Sequence, residues 1–151
     1  ELDAALRVAA SPVDVTGAPS RAEARRALGW DARPRALVVA RLIPGKRVAT
    51  ALAALALLEG VSAVVVGDGP ELDALRARFP AVQFTGRLAR PEALSFIAAA
   101  DVLVSASAQE GAPSVVREAR ALGVPVVAVV AGDLPAWAAA DPGIRLVQPS
   151  A

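Results

Sequence analysis

Apolar residues in this chain fall into short, nearly unbroken runs, separated by segments where they recur every three or four positions. The runs lie at 35–42, 61–66, 82–84, 102–104, 125–130 and 144–147 and are dominated by Val, Leu, Ile and Ala. A strand apolar along its whole length is one covered on both faces, so these six runs are read as buried strands. Between them, helical spacing predicts helices over 47–58, 70–79, 91–100, 113–122 and 133–140. An earlier helix, 21–30, opens on Ser20 with Glu23 three positions later, the spacing of a capping box, and residues 6–10 are read as a short leading strand. Strands alternating with helices imply a parallel sheet packed on both sides, so the expected fold is doubly wound α/β.

The helix over 113–122 repays closer reading. Pro113 suits a first helical position, having no N–H to leave unpaired there, and Gly123 followed by Pro125 ends the helix. Val115, Val116, Ala119 and Leu122 form the expected buried stripe, with Arg117 and Arg120 facing away. Glu118 lies at the edge of that stripe. Its neighbours three and four positions away are Ser114, Val115, Ala121 and Leu122, so no basic residue on the same helix can pair with it. It needs a partner from elsewhere: either a tertiary ion pair, or a hydroxyl-rich ligand beside the helix start. Helical side chains lean towards their own N-terminus, where unpaired N–H groups and the positive end of the dipole receive phosphate. Glu110, eight residues earlier, is either a solvated loop acid or a second contact to the same ligand.

Composition narrows the chemistry. The chain has 151 residues, enough for one domain with a real core, and its 55% hydrophobic content excludes disorder. No apolar run approaches the ~18 residues of a membrane span, and the start of the sequence carries no basic-then-apolar signal, so a cytoplasmic location is expected. Histidine and cysteine are both absent, which removes disulfides, histidine-based triads and His or Cys metal sites. A net charge of +1 with scattered arginines, and only 3% aromatic residues, offers nucleic acid neither a basic patch nor a stacking platform.

Of the sixteen basic residues only Lys46 is a lysine; it follows the first buried run, and Arg41 sits five residues earlier, at the strand's end. Strand, Pro-Gly loop with two cations, then helix is a βα unit with positive charge at the carboxyl edge of its strand, where open α/β sheets bind ligands. Arginine offers a fork for phosphate oxygens and lysine a point charge, a pairing suited to a diphosphate. A surface loop would also carry cations. In VVVGDGPE, Gly67 and Gly69 flank Asp68, which allows either close ligand approach or a plain left-handed turn. In FTGRLARPE, Gly86, Arg87 and Leu88 either present backbone to a base or lead into the next helix.

Taken in order, the segments ARL-x-x-x-K, VVVGDGPE, VQFTGRL, AADVLVSAS and EG-x-P-S-V-V-x-EA-x-A-x-G-x-PVVA resemble the C-terminal, nucleotide-sugar-binding domain of family 4 (group 1) retaining glycosyltransferases of the GT-B fold. The likeness runs from about Arg35 to Val147, with the family's E-x7-E element at Glu110 and Glu118. It implies a Rossmann-like donor-binding half of a GT-B enzyme. Arg41 and Lys46 then match the pair that grips the donor diphosphate, and Glu110 the acid near the reacting centre; these three are the expected catalytic residues. Glu118 matches the acid that holds the ribose, Ser114 and Val115 would turn N–H groups to the phosphates, and Gly86, Arg87 and Leu88 would line the base. Gly67 and Gly111 complete the expected donor-binding set.

The resemblance further implies a single donor-binding domain over 1–151, with 1–19 as interdomain connection and both the N-terminal acceptor domain and the C-terminal crossover helices missing. It implies retaining transfer from a nucleoside-diphosphate sugar to an acceptor hydroxyl, with no metal and no other cofactor. The acceptor, and any peripheral membrane contact, would belong to the missing domain, and the piece alone would be inactive. Two departures stand out. Pro113 replaces a frequent glycine, removing one N–H from the phosphate site, and AGDLPAW only loosely matches a Gly-Gly-x-Pro-Glu turn, with Asp133 and Ala136 in place of Gly and Glu. A GT-B sugar-nucleotide epimerase, or a non-catalytic nucleotide-binding or scaffold domain, would share the same cradle.

Overall fold

The computed structural model describes residues 13–148; the expected strand at 6–10 lies outside the described residues. Six strands form one parallel sheet: β1 (Arg35–Val39), β2 (Ser62–Val66), β3 (Gln83–Phe84), β4 (Val102–Ser105), β5 (Val126–Val129) and β6 (Ile144–Val147). Six α-helices accompany them: α1 (Arg21–Ala27), α2 (Val48–Leu55), α3 (Leu72–Arg78), α4 (Arg90–Ala99), α5 (Ser114–Ala121) and α6 (Leu134–Ala140). The strand order is β3-β2-β1-β4-β5-β6, so the chain walks outward in one direction from β1 and then returns to β1's other side at β4. Register pairs Leu37 of β1 with Val64 of β2 and with Leu103 of β4.

Alternation along β1 divides the core in two. Ala36 and Val38 pack with Val48, Leu52 and Leu55 of α2 and Leu75 of α3 on one face. Leu37 packs on the other with Ile97 of α4, Val116 of α5 and Leu134 of α6. Helices therefore cover both faces, which is why the strands carry no polar alternation. Helix α1 lies outside α4, where Ala24, Ala98 and Ala99 pack closely. Its start is the expected capping box: the Glu23 N–H donates to Ser20 Oγ and the Ser20 N–H donates back to Glu23 Oε2.

Element ends, and the outer face of one helix, depart from the sequence expectation. The first strand ends at Val39 rather than at 42, because the chain bends away there into its loop, although Ala40 and Leu42 still donate to Val66 and Asp68. The second helix begins after Arg47 and stops at Leu55, its last turn tightening to i→i+3 bonds at Leu57 and Leu58, both left exposed. Pro113 is the N-cap of α5, one residue before the first helical position, with extended ψ of 111°. Arg117 and Arg120 do not face away into water: Arg117 lies over the Trp137 ring at 5.5 Å, and Arg120 pairs with Asp141 at 2.8 Å. Both are drawn to α6 and the turn after it, an attraction invisible to a wheel drawn for one helix. No helix among the described residues is long and apolar enough to cross a membrane.

Candidate functional site

The strand order reverses between β1 and β4, and the loops leaving those two strands part above the sheet. Such a switch point is where open α/β sheets bind ligands. Here it holds a cavity of about 720 Å³, within the size range of small-molecule sites.

The loop leaving β1 supplies cations. After buried Leu42, a 3-10 turn over Pro44–Lys46 carries the chain to Arg47, whose φ of 47° makes it the only non-glycine in left-handed conformation among the described residues. That turn directs Lys46 across the cavity, where Nζ meets Glu110 Oε1 at 2.6 Å. Arg41 lines the same wall and is exposed.

The loop leaving β4 supplies Glu110 and is stitched to the first. Ala108 N–H donates to the Gly45 carbonyl at 3.0 Å, and the buried Ser107 hydroxyl donates to the Gln109 carbonyl at 3.0 Å and reaches the Gly45 carbonyl at 3.5 Å. From the other side the loop after β5 supports it. Gly132, at φ 50°, sits so close to the Glu110 and Gly111 carbonyls that a side chain there would collide with both, and Asp133 N–H donates to Gly111 at 3.3 Å. The residues on either side of Glu110 are therefore held by two neighbouring loops, and its carboxylate by Lys46.

Helix α5 starts at the cavity wall. Ser114 and Val115 present the first N–H groups of the helix, which have no intrahelical acceptor. One turn on, Glu118 is buried, 8% exposed, and its carboxylate meets the Arg90 guanidinium at 2.7 Å. Of the two partners open to Glu118, the structure shows the tertiary ion pair.

Gly67 and Gly69 turn out to serve the packing of backbone on backbone. A methyl on Gly67, at φ 143°, would run into the Ala40 carbonyl, and one on Gly69, at φ 153°, into Leu42. Gly67 N–H also donates to the Gly86 carbonyl at 2.9 Å. Gly67 still lines the cavity, as do Arg87 and Leu88. Gly86 and Gly111 are not among the lining residues; their carbonyls accept from the N–H groups of Gly67 and Asp133.

Arg41, Lys46, Glu110, Ser114, Val115 and Glu118 thus meet around one space. Sequence reading missed Arg90, which also lines it, and Ser107. Arg90 carried no signal, since its partner lies 28 positions away on another helix. Ser107 stood in a run of small polar residues that does not reveal which one is buried. Among the described residues no group of three or more His, Cys, Asp or Glu is placed to hold a metal ion.

A doubly wound parallel sheet with a charged cavity at its switch point defines the class: a Rossmann-like α/β domain of the kind paired in GT-B enzymes. The chain belongs to the group 1 glycosyl transferases, whose family description it matches over residues 33–150. It is 38% identical over 123 residues to a GDP-mannose-dependent alpha-mannosyltransferase of Mycolicibacterium smegmatis, covering 80% of this chain and 32% of that protein. Among solved structures it resembles sucrose-phosphate synthase from Thermosynechococcus elongatus, with a TM-score of 0.77, 27% identity, and 86% of this chain and 36% of that one covered. It also resembles Anabaena HepE in complex with UDP-glucose, with a TM-score of 0.70, 29% identity, and 86% and 39% covered. The chain spans about a third of the length of the curated relatives it matches.

Proposed function

We propose that this chain is the donor-binding domain of a retaining, metal-independent family 4 glycosyltransferase, and that its donor is a nucleoside-diphosphate sugar, GDP-mannose in the first instance. The single observation that carries this reading is the switch-point cavity, lined together by Lys46, Arg41, the start of α5 and two acids, in a chain of the group 1 family. GDP-mannose is favoured because the relative at 38% identity depends on it.

In this reading Arg41 and Lys46 take the diphosphate, with the Ser114 and Val115 N–H groups beside them. Negative charge grows on the diphosphate as the bond to the sugar breaks, and fixed cations aimed at it lower the barrier without reorganising. Phosphate draws Lys46 from Glu110, which frees the Glu110 carboxylate for sugar hydroxyls at the reacting end. Glu118 accepts from the ribose, and Gly86, Arg87 and Leu88 border the base. Pro113 leaves the phosphates one N–H fewer than a glycine would. Acceptor binding and exclusion of water fall to a second domain closing over the cavity, so this domain by itself binds donor without transferring sugar.

Calorimetric titration with GDP, UDP and ADP tests the reading. Saturable binding of GDP in preference to the others is expected, weakened about tenfold or more in Lys46→Ala through loss of a charge-assisted contact. Absence of binding by all three would overturn the donor assignment. Mannose transfer by this domain alone would overturn its catalytic incompleteness.

A further inference from the structure

Glu118 is the only charged residue among the buried ones described. A carboxylate taken out of water needs a partner, and a partner with two fixed anchors also fixes where the carboxylate points. Arg90, first residue of α4, supplies both anchors. One guanidinium nitrogen meets Glu118 Oε1 at 2.7 Å, and the other donates to the Asp14 carbonyl at 2.6 Å. Neither acceptor belongs to α4. The guanidinium is thus clamped between α5 and the segment leading into α1, while 57% of the side chain remains exposed.

Its place in the fold is equally specific. Arg90 lines the main cavity and also a second one of about 160 Å³, bordered by Asp14, Gly17, Pro91 and Leu94, so its side chain borders both. Asp14 is itself ordered by a turn in which its carboxylate accepts from the Thr16 N–H at 2.8 Å. The anchor for Arg90 is therefore a structured segment.

We propose that Arg90 is a positioning residue for ribose recognition: braced by the Asp14 carbonyl, it holds the Glu118 carboxylate in the orientation that accepts from the ribose hydroxyls. The proposal rests on the donor-binding function above. Arginine's planar fork suits the role because it contacts two acceptors at a set angle, which a lysine ammonium does not.

The test uses whichever of GDP, UDP and ADP the chain binds best, its 2′,3′-dideoxy analogue, and inorganic pyrophosphate. Each is titrated into the wild-type chain, Arg90→Ala and Arg90→Lys, with thermal melts to confirm folding. Wild type is expected to prefer the ribonucleotide over the dideoxy analogue. Arg90→Ala should bind the ribonucleotide about tenfold more weakly and lose most of that preference, with pyrophosphate affinity unchanged. Arg90→Lys should fall between, and it decides the matter if the alanine variant does not fold. A ribose preference that survives in the folded variants overturns the proposal alone. Tighter nucleotide binding in Arg90→Ala also overturns it, since Arg90 would then compete with ribose for Glu118. Failure of wild type to bind any of the three nucleotides overturns the donor-binding function and this proposal with it.

Discussion

Gly67 and Gly86 are joined by a backbone hydrogen bond, yet they need to be glycine for different reasons. At Gly67 a β-carbon would strike the Ala40 carbonyl, whereas at Gly86 nothing lies within 4 Å and only the φ of 74° resists a side chain. Gly86→Ala should therefore cost about 1 kcal/mol, the ordinary left-handed penalty, and Gly67→Ala more than about 2 kcal/mol because β1 and β2 must separate to admit it. Urea denaturation of the two variants measures the difference, and equal costs would mean the sheet yields more readily than its packing suggests. At this scale the sequence was readable wherever a residue has one role. Glu118 stood out as an acid without a partner on its own helix and Glu110 as a loop acid open to two readings, and both are seen with cations, Arg90 and Lys46. Arg90 itself was not readable, because nothing nearby in the chain distinguishes a helix-opening arginine from a solvated one.

Between elements, Asp101 joins α1 to the start of β1. It follows α4 and accepts from the backbone N–H of Arg35 at the start of β1, from Arg25 of α1 at 3.0 Å, and from Arg21 of α1. Burial pushes its carboxyl pKa up, but the Arg35 N–H and then the two α1 guanidiniums outweigh that, and the net shift is downward from 3.8. A carboxylate with a depressed folded pKa stabilises the fold above its unfolded value, and that contribution is lost as pH falls through the folded value. Asp101→Asn should thus destabilise the protein by about 1 kcal/mol at neutral pH, the group being a third exposed, and the gap to wild type should close at an acid pH below that lowered folded value. Urea midpoints at the two pH values check it, and a gap that persists in acid would assign Asp101 a purely steric role. Element identity was legible throughout the described residues, because apolar runs and helical periodicity alternate cleanly. Element ends were not, since β1 stops where tertiary contacts open its loop and α2 stops where its hydrogen bonds tighten.

For the molecule as a whole, the two halves of the core share one sheet, with Leu37 facing one and Ala36 and Val38 the other. Damage to either face should then propagate through the strands to both. Leu37→Ala is expected to cost about 3 kcal/mol, and unfolding should remain a single transition by near-UV and far-UV circular dichroism. Two separated transitions would show that the faces melt independently. The order of loops around the cavity was visible in sequence because a parallel sheet forces every strand's carboxyl end to the same edge. Arg47 adds something to that edge. A left-handed arginine costs on the order of 1 kcal/mol relative to glycine, yet a side chain at this hinge denies the loop the many conformations a glycine would allow. The lysine just before it is thus kept from sweeping through space, so its charge stays at one address beside Glu110, where the proposed diphosphate would arrive.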